Sequence, residues 1–159
     1  MPNRNRLIVG VRPQQIAGRG GIEMGTWGIG FFDNDTACDW AYELVDSTDL
    51  SIIEQAFDRV LQAGDEYLEA PEAEEALAAA EVVARLQGNW GPRNAYTETV
   101  DAWVERTALE VSEGVVTKAK TVIKRVLATP SELLELWQEA PEFEAWKALV
   151  EQLVERVAA

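Results

Sequence analysis

The chain has 159 residues, a formal charge of −14, a pI near 4.3, one cysteine and no histidine. The missing imidazole excludes Ser-His-Asp and Cys-His catalysis and His-containing zinc sites, while the negative field opposes nucleic-acid phosphates and anionic membranes and favours cationic partners or divalent metals. Apolar residues make up 47% of the chain, with six Trp, enough for one packed core; with a lone Cys38 and no apolar run near the roughly 18 residues of a membrane span, a cytoplasmic protein is expected.

Residues 1–23 differ in kind from the rest, carrying Arg4, Arg6, Arg12 and Arg19 against Glu23 alone. A basic arm folding back on an acidic body and an Arg-rich targeting peptide both fit this pattern. The favoured expectation is a disordered leader or a mis-assigned start, with Met24 as the natural start. Arg19-Gly20-Gly21-Ile22-Glu23 is what a purine-rich ribosome-binding site encodes if translated through. Only Leu7 to Val11 has the composition of a short strand. The folded domain is therefore placed at residues 24–159.

That domain opens on Gly25-Thr26-Trp27-Gly28-Ile29-Gly30-Phe31-Phe32-Asp33-Asn34-Asp35, dense in glycine, aromatics and acids. Glycines ahead of a helix suggest a phosphate cradle. Asp33, Asp35 and Asp39 lie at that same helix end, where they repel phosphate, and no Lys follows. The glycines are instead expected to let the chain turn while Trp27, Phe31 and Phe32 pack beneath the helices. Asp33 or Asn34 then caps the first helix, whose Ala37, Trp40, Ala41, Leu44 and Val45 recur at helical spacing. Cys38, within that helix, reads as packing.

A second helix starts between Ser47 and Ser51, with Ser51 and Glu54 matching a capping box, buries Ile52, Ile53, Ala56, Phe57, Val60 and Leu61, and ends at Gly64. Pro71 suits the first turn of a third helix, where Glu72, Glu74 and Glu75 meet the positive end of the macrodipole. Its Ala76–Leu86 portion is apolar nearly all round, the mark of a central helix. Gly88 ends it, and Asn89-Trp90-Gly91-Pro92-Arg93-Asn94 forms a turn-rich loop. Further helices are predicted over Thr97 to Glu110, from Ser112 onward, from a Thr129 cap followed by Pro130 and Glu132, and after Pro141. The fold class is all-α: a single compact domain of about six to seven helices around a central Ala-rich helix, preceded by the Gly/aromatic stretch.

Two acidic patterns carry possible metal chemistry. Asp35 and Asp39 lie one turn apart and can face a hard divalent cation such as Mg or Mn. Glu72-x-x-Glu75, then a gap of 22 residues, then Glu98-x-x-Asp101, resembles the metal-binding pattern of all-α NTP pyrophosphatases. Glu66-x-x-Glu69 fits the first half equally well, and the helix dipole already accounts for Glu72 and Glu75. The basic run Lys118, Lys120, Lys124 and Arg125 reads as a solvated face paired with acidic neighbours. Trp90, in a Gly/Pro loop, suits an aromatic contact with a protein partner.

The opening from Met24 to Asp35, with Ala37 and Asp39-Trp40 after it, resembles the bacterial family known as domain of unknown function family 4259. Ala78-Ala79-Ala80-Glu81 and the Ser131 to Trp137 segment are similar to that family as well. The resemblance implies a domain beginning at Met24 and running to the C-terminus. It brings no established activity, and directs attention to Asn34, Asp35, Asp39 and Glu81 as its polar motif positions. The expected function is a non-enzymatic protein-binding module for a cationic partner, immunity- or antagonist-like, without cofactor, nucleic acid or membrane. The alternative is a Mg- or Mn-dependent hydrolase of nucleotide-like substrates. Candidate binding residues are Asn34, Asp35, Asp39, Glu81 and Trp90; candidate metal ligands are Asp35, Asp39, Glu72, Glu75, Glu98 and Asp101.

Overall fold

The structure, a computed structural model, describes residues 26–159. The basic leader, the Leu7 to Val11 strand and the Met24 start lie outside these residues. Seven helices follow in order: α1 Asp35–Val45, α2 Ser51–Ala63, α3 Ala70–Leu86, α4 Glu98–Thr107, α5 Glu113–Val126, α6 Glu132–Gln138 and α7 Phe143–Ala158. Among the described residues there is no strand, only the isolated bridges Thr26–Asn34 and Leu68–Ser131. The all-α, single-domain reading therefore holds.

α3 is the axis of the bundle and packs against each of the other six helices. Its Ala73, Ala76, Ala78, Ala79, Ala80 and Ala84 are fully buried, and side chains this small let neighbouring helices approach closely on every side. Around this axis Phe57, Trp103, Trp146 and Ile123 are buried completely, each contributing about 1.5–3 kcal/mol relative to exposure.

The opening turn folds back on itself: Trp27 N–H donates to the Asp33 carbonyl at 2.9 Å, and Gly30 N–H to Asp33 Oδ2 at 2.9 Å. A Cβ at Gly28 or Gly30 lies 2.5 or 2.7 Å from that same carboxylate oxygen. The glycines thus make room for an anion, and the anion is the chain's own Asp33. Phe31 and Phe32 are buried as expected, but Trp27 is 45% exposed and meets Tyr96 with ring centroids 5.2 Å apart. The turn is too tight to bring all three aromatics to the core side.

Helix starts depart from the sequence reading where a nearby side chain takes the donors first. Ser51 makes no capping box: its N–H and hydroxyl both donate to Asp49 Oδ1, at 3.0 and 2.7 Å, leaving Leu50 at the N-cap without a side-chain bond. α6 is capped by Ser131, whose Oγ accepts from Leu134 N, rather than by Thr129. Leu68 N–H donates to the Pro130 carbonyl and Glu132 N–H to the Leu68 carbonyl, which holds Ser131 extended and delays the helix. α4 stops at Thr107, short of Glu110, because Ala108 turns left-handed at φ 47°. Ser112 caps α5 as expected.

The basic face of α5 is partly spent on the fold. Lys118 pairs with Glu54 and Asp58, and the Arg125 guanidinium donates to the carbonyls of Gly64, Glu66, Ala128 and Pro130.

Candidate functional site

α3 carries two glutamates that are almost wholly buried, Glu74 at 4% and Glu81 at 2% exposure. Seven residues apart, they lie on one face of the helix about two turns, or roughly 10 Å, from each other. Their surroundings are opposite in kind.

Glu81 sits inside an ion network. Its Oε2 accepts from Arg85 Nε at 2.8 Å and Arg156 Nη1 at 3.0 Å, and its Oε1 from Arg156 Nη2 at 2.5 Å. Arg85, itself 2% exposed, donates onward to Asp101 Oδ1 at 2.6 Å and to the Pro92 carbonyl at 2.7 Å. The other Asp101 oxygen takes the Thr97 hydroxyl at 2.7 Å. Three helices, α3, α4 and α7, are therefore tied to one another and to the 88–93 loop. The loop is shaped to the network: Arg156 donates to the Asn89 carbonyl, Asn89 Nδ2 donates to the Arg156 carbonyl, and a Cβ at Gly91 falls 2.7 Å from Glu81 Oε2. Trp90 receives the Arg93 guanidinium 4.3 Å from its ring centroid and that of Arg85 at 5.5 Å. With Arg156, Gln152 and Glu155 it also borders an open surface groove. Each carboxylate here is matched by guanidinium donors in good geometry, which offsets the cost of burying charge.

Glu74 has no such match. It lines a small pocket beneath the opening turn, with Gly28, Gly30, Phe31 and Asn34 on one side and Leu77, Leu133, Trp137 and Trp146 on the other. Trp137 and Trp146 stack nearly parallel with centroids 5.4 Å apart. Glu74 interacts with the Thr36 hydroxyl, while its Oε1 is buried with no hydrogen-bond partner. Burial pushes its carboxyl up to about 7, and the charges of Asp35, Glu132 and Glu75 push the same way, against the Thr36 hydrogen bond. The expectation that Glu74 simply meets the positive end of the α3 dipole is corrected: loss of water outweighs the dipole at this position. Asp33, beside the pocket, is likewise raised by burial.

The structure separates the residues that the sequence singled out. Asn34 caps α1, its Oδ1 accepting from Ala37 N at 2.8 Å. Asp35 and Asp39 are exposed on α1, away from the buried Glu81. Glu72 is half-buried in the first turn of α3, Glu75 is bound to Arg59, Glu98 is exposed at the start of α4, and Asp101 is held by Arg85. Among the described residues no three Asp, Glu or Cys side chains are grouped to hold a metal ion. Burial, with the charges of Asp35, Asp39 and Asp33, pushes the Cys38 thiol up to about 12, so it stays protonated and packs, its Sγ against the Phe32 carbonyl. Arg85, Arg156 and Glu74 are the important residues that the sequence reading did not single out. The spacing of Glu81 and Arg85 at i, i+4 was the one visible signal.

Compared with known proteins, residues 25–149 match the model of the family described as Domain of unknown function (DUF4259). Neither a curated protein nor a solved structure matches the chain.

Proposed function

The chain belongs to the DUF4259 family, whose description assigns no activity, and we propose that it is a non-catalytic protein-binding module for a cationic partner. As proposed, the module needs no cofactor. The observation that carries this reading is the disposition of charge. Among the described residues the cations are largely engaged within the fold: Arg85 and Arg156 with the buried carboxylates, Arg59 with Glu75, Lys118 with Glu54 and Asp58, Arg93 with Glu105, and Arg106 and Arg125 with backbone carbonyls. What faces solvent on α1 is then acidic. Asp39, Glu43 and Asp46 lie on its outer side around Tyr42, which is 63% exposed, opposite the buried Ala37, Trp40, Ala41 and Leu44. An exposed aromatic ring among carboxylates suits a Lys- or Arg-bearing surface, through ion pairs and cation–π contact.

Calorimetric titration with a synthetic lysine-rich peptide tests the proposal. Binding is expected at low ionic strength and to weaken as salt shortens the Debye length toward about 8 Å. Reversing Asp39 and Glu43 together to Lys is expected to weaken it by at least about tenfold. Heat that is absent at low salt, or unchanged by the reversal, contradicts the reading.

A further inference from the structure

We propose that residues 26–31 of the opening turn form a lid over Glu74 that lifts when Glu74 gives up its proton. This goes beyond the partner reading and does not rest on it. Thr26, Gly28, Gly30 and Phe31 close one side of the pocket, and the space beneath them is about 10 Å³, room for one water at most. Glu74 Oε1 is buried there with no hydrogen-bond partner. A neutral carboxyl tolerates such a site; a carboxylate needs donors or water around its charge. The donor that meets Glu74 is the Thr36 hydroxyl, and the charges that act on it are all acidic: Asp35 from α1, Glu75 from α3 and Glu132 from α6. The turn itself carries Asp33, and α7 presents the Trp146 ring. Among the described residues no cation pairs with Glu74, whereas Glu81 has two. Ionising Glu74 therefore calls for water, and water enters when a wall moves.

The turn is the wall with the least to hold it. The others are helices: Leu77 of α3, Leu133 and Trp137 of α6 and Trp146 of α7 are buried, with the two tryptophans stacked on each other. The lid is tied back to Asp33 by Trp27 N–H on its carbonyl and Gly30 N–H on its carboxylate, and to Asn34 by the isolated bridge from Thr26. Phe32, whose carbonyl accepts from the Cys38 thiol, stays with α1 and marks the hinge. Trp27 already lies half in solvent against Tyr96, so Phe31 is the ring that lifting withdraws from the core. A segment with so few ties opens ahead of the helices.

The coupling has a definite sign. Under the closed lid, burial holds the Glu74 carboxyl at about 7 against an ordinary 4.5; under a lifted lid it is hydrated and returns toward the ordinary value. The closed form thus keeps a proton that the open form releases. The lid is tightest below about pH 4.5, loosens as pH rises and levels above about 7, the opening equilibrium growing by up to roughly 300-fold over that span.

Native-state amide exchange on the full chain, followed by NMR from about pH 5 to about pH 9 and corrected for intrinsic rates, reads the lid at Trp27 N–H and Gly30 N–H. Protection at both is expected to fall with pH by up to roughly 300-fold and to level at the midpoint of the Glu74 carboxyl carbon resonance. In Glu74→Gln, where Asp33 still titrates, it is expected to stay flat. Dilute urea separates the lid from the whole fold: it is expected to leave these two amides unchanged while it speeds exchange of the slow amides of α3. The same pH dependence in Glu74→Gln, none in the parent, or no protection of the two amides at about pH 5 overturns the lid. Loss of protection in step with α3, with the same urea response, is global unfolding and overturns it too. Should the variant not fold, levelling away from the Glu74 midpoint in the parent overturns the coupling on its own.

Discussion

Glu74 and Glu81 occupy the same face of one helix, are equally buried, and have opposite needs. Glu81 is surrounded by Arg85 and Arg156 and makes hydrogen bonds through both oxygens; Glu74 meets the Thr36 hydroxyl, keeps Oε1 without a partner, and the charges that act on it are those of other acids. Burial alone therefore does not tell what a charged residue does. A buried charge whose partners are present is part of the scaffold, and a buried acid without them is poised to take a proton. The helical bundle is stitched together at the C-terminal half of α3 and left chemically open at the other half.

The largest effect is expected at the closed end. Arg85→Met removes the donor shared by Glu81, Asp101 and the Pro92 carbonyl and leaves two buried carboxylates short of partners. A loss of about 3–5 kcal/mol in unfolding free energy is expected, measured by urea denaturation at neutral pH. A loss below about 1 kcal/mol makes the network ornamental and erases the contrast with Glu74.

A middle-sized effect belongs to the open end and has a definite sign. Glu74 is raised from 4.5 to about 7 in the folded chain, so the native state holds a proton that the unfolded state has released. Stability from this group is fully present below about pH 4.5, falls as pH rises to about 7, and is level above that, the whole change being roughly 3 kcal/mol. Thermal unfolding across this range, compared with Glu74→Gln, isolates the contribution. A variant whose slope matches that of the parent contradicts it.

The smallest effect lies beside the pocket rather than in it. Asn34→Ala removes the α1 cap to Ala37 N and is expected to cost about 1 kcal/mol, with the stability difference independent of pH. A much larger loss, or one that varies with pH, assigns Asn34 a share in the Glu74 site beyond capping.

Most of the architecture was legible in the sequence, because it rests on local periodicity. The buried rows of α1, α2, α5 and α7 follow helical spacing, and the alanines of α3 marked it as the axis; on α2 the row is narrower than expected, since Leu61, expected to be buried, is exposed one position past the buried Val60. Caps were legible where no competitor stood nearby, as at Ser112, and misleading where one did, as at Ser51 beside Asp49 and at Thr129 ahead of the Leu68 bridge. The site was far less legible. Arg156 meets Glu81 across 75 positions of sequence, and Arg85 meets Asp101 across 16, distances over which no periodic pattern speaks. Glu74 was hidden for a different reason: at the start of a helix an acid is ordinarily explained by the macrodipole, and only packing of the opening turn reveals that this one has lost its water. Asn34 and Glu81, by contrast, were singled out in advance through family resemblance and serve in the structure as a cap and as the hub of the network.

The most direct test of the contrast is to measure unfolding free energy for Glu74→Gln and Glu81→Gln side by side at about pH 8, where an acid with a midpoint near 7 is ionised. The two changes are the same atom-for-atom substitution on the same face of α3, so helix propensity and size nearly cancel between them. Opposite signs are expected: Glu74→Gln stabilises by up to roughly 3 kcal/mol because a buried unpaired charge is removed, and Glu81→Gln destabilises by a similar amount because Arg85 and Arg156 lose their shared counter-charge. Two changes of the same sign contradict the division of α3 into a closed end and an open one.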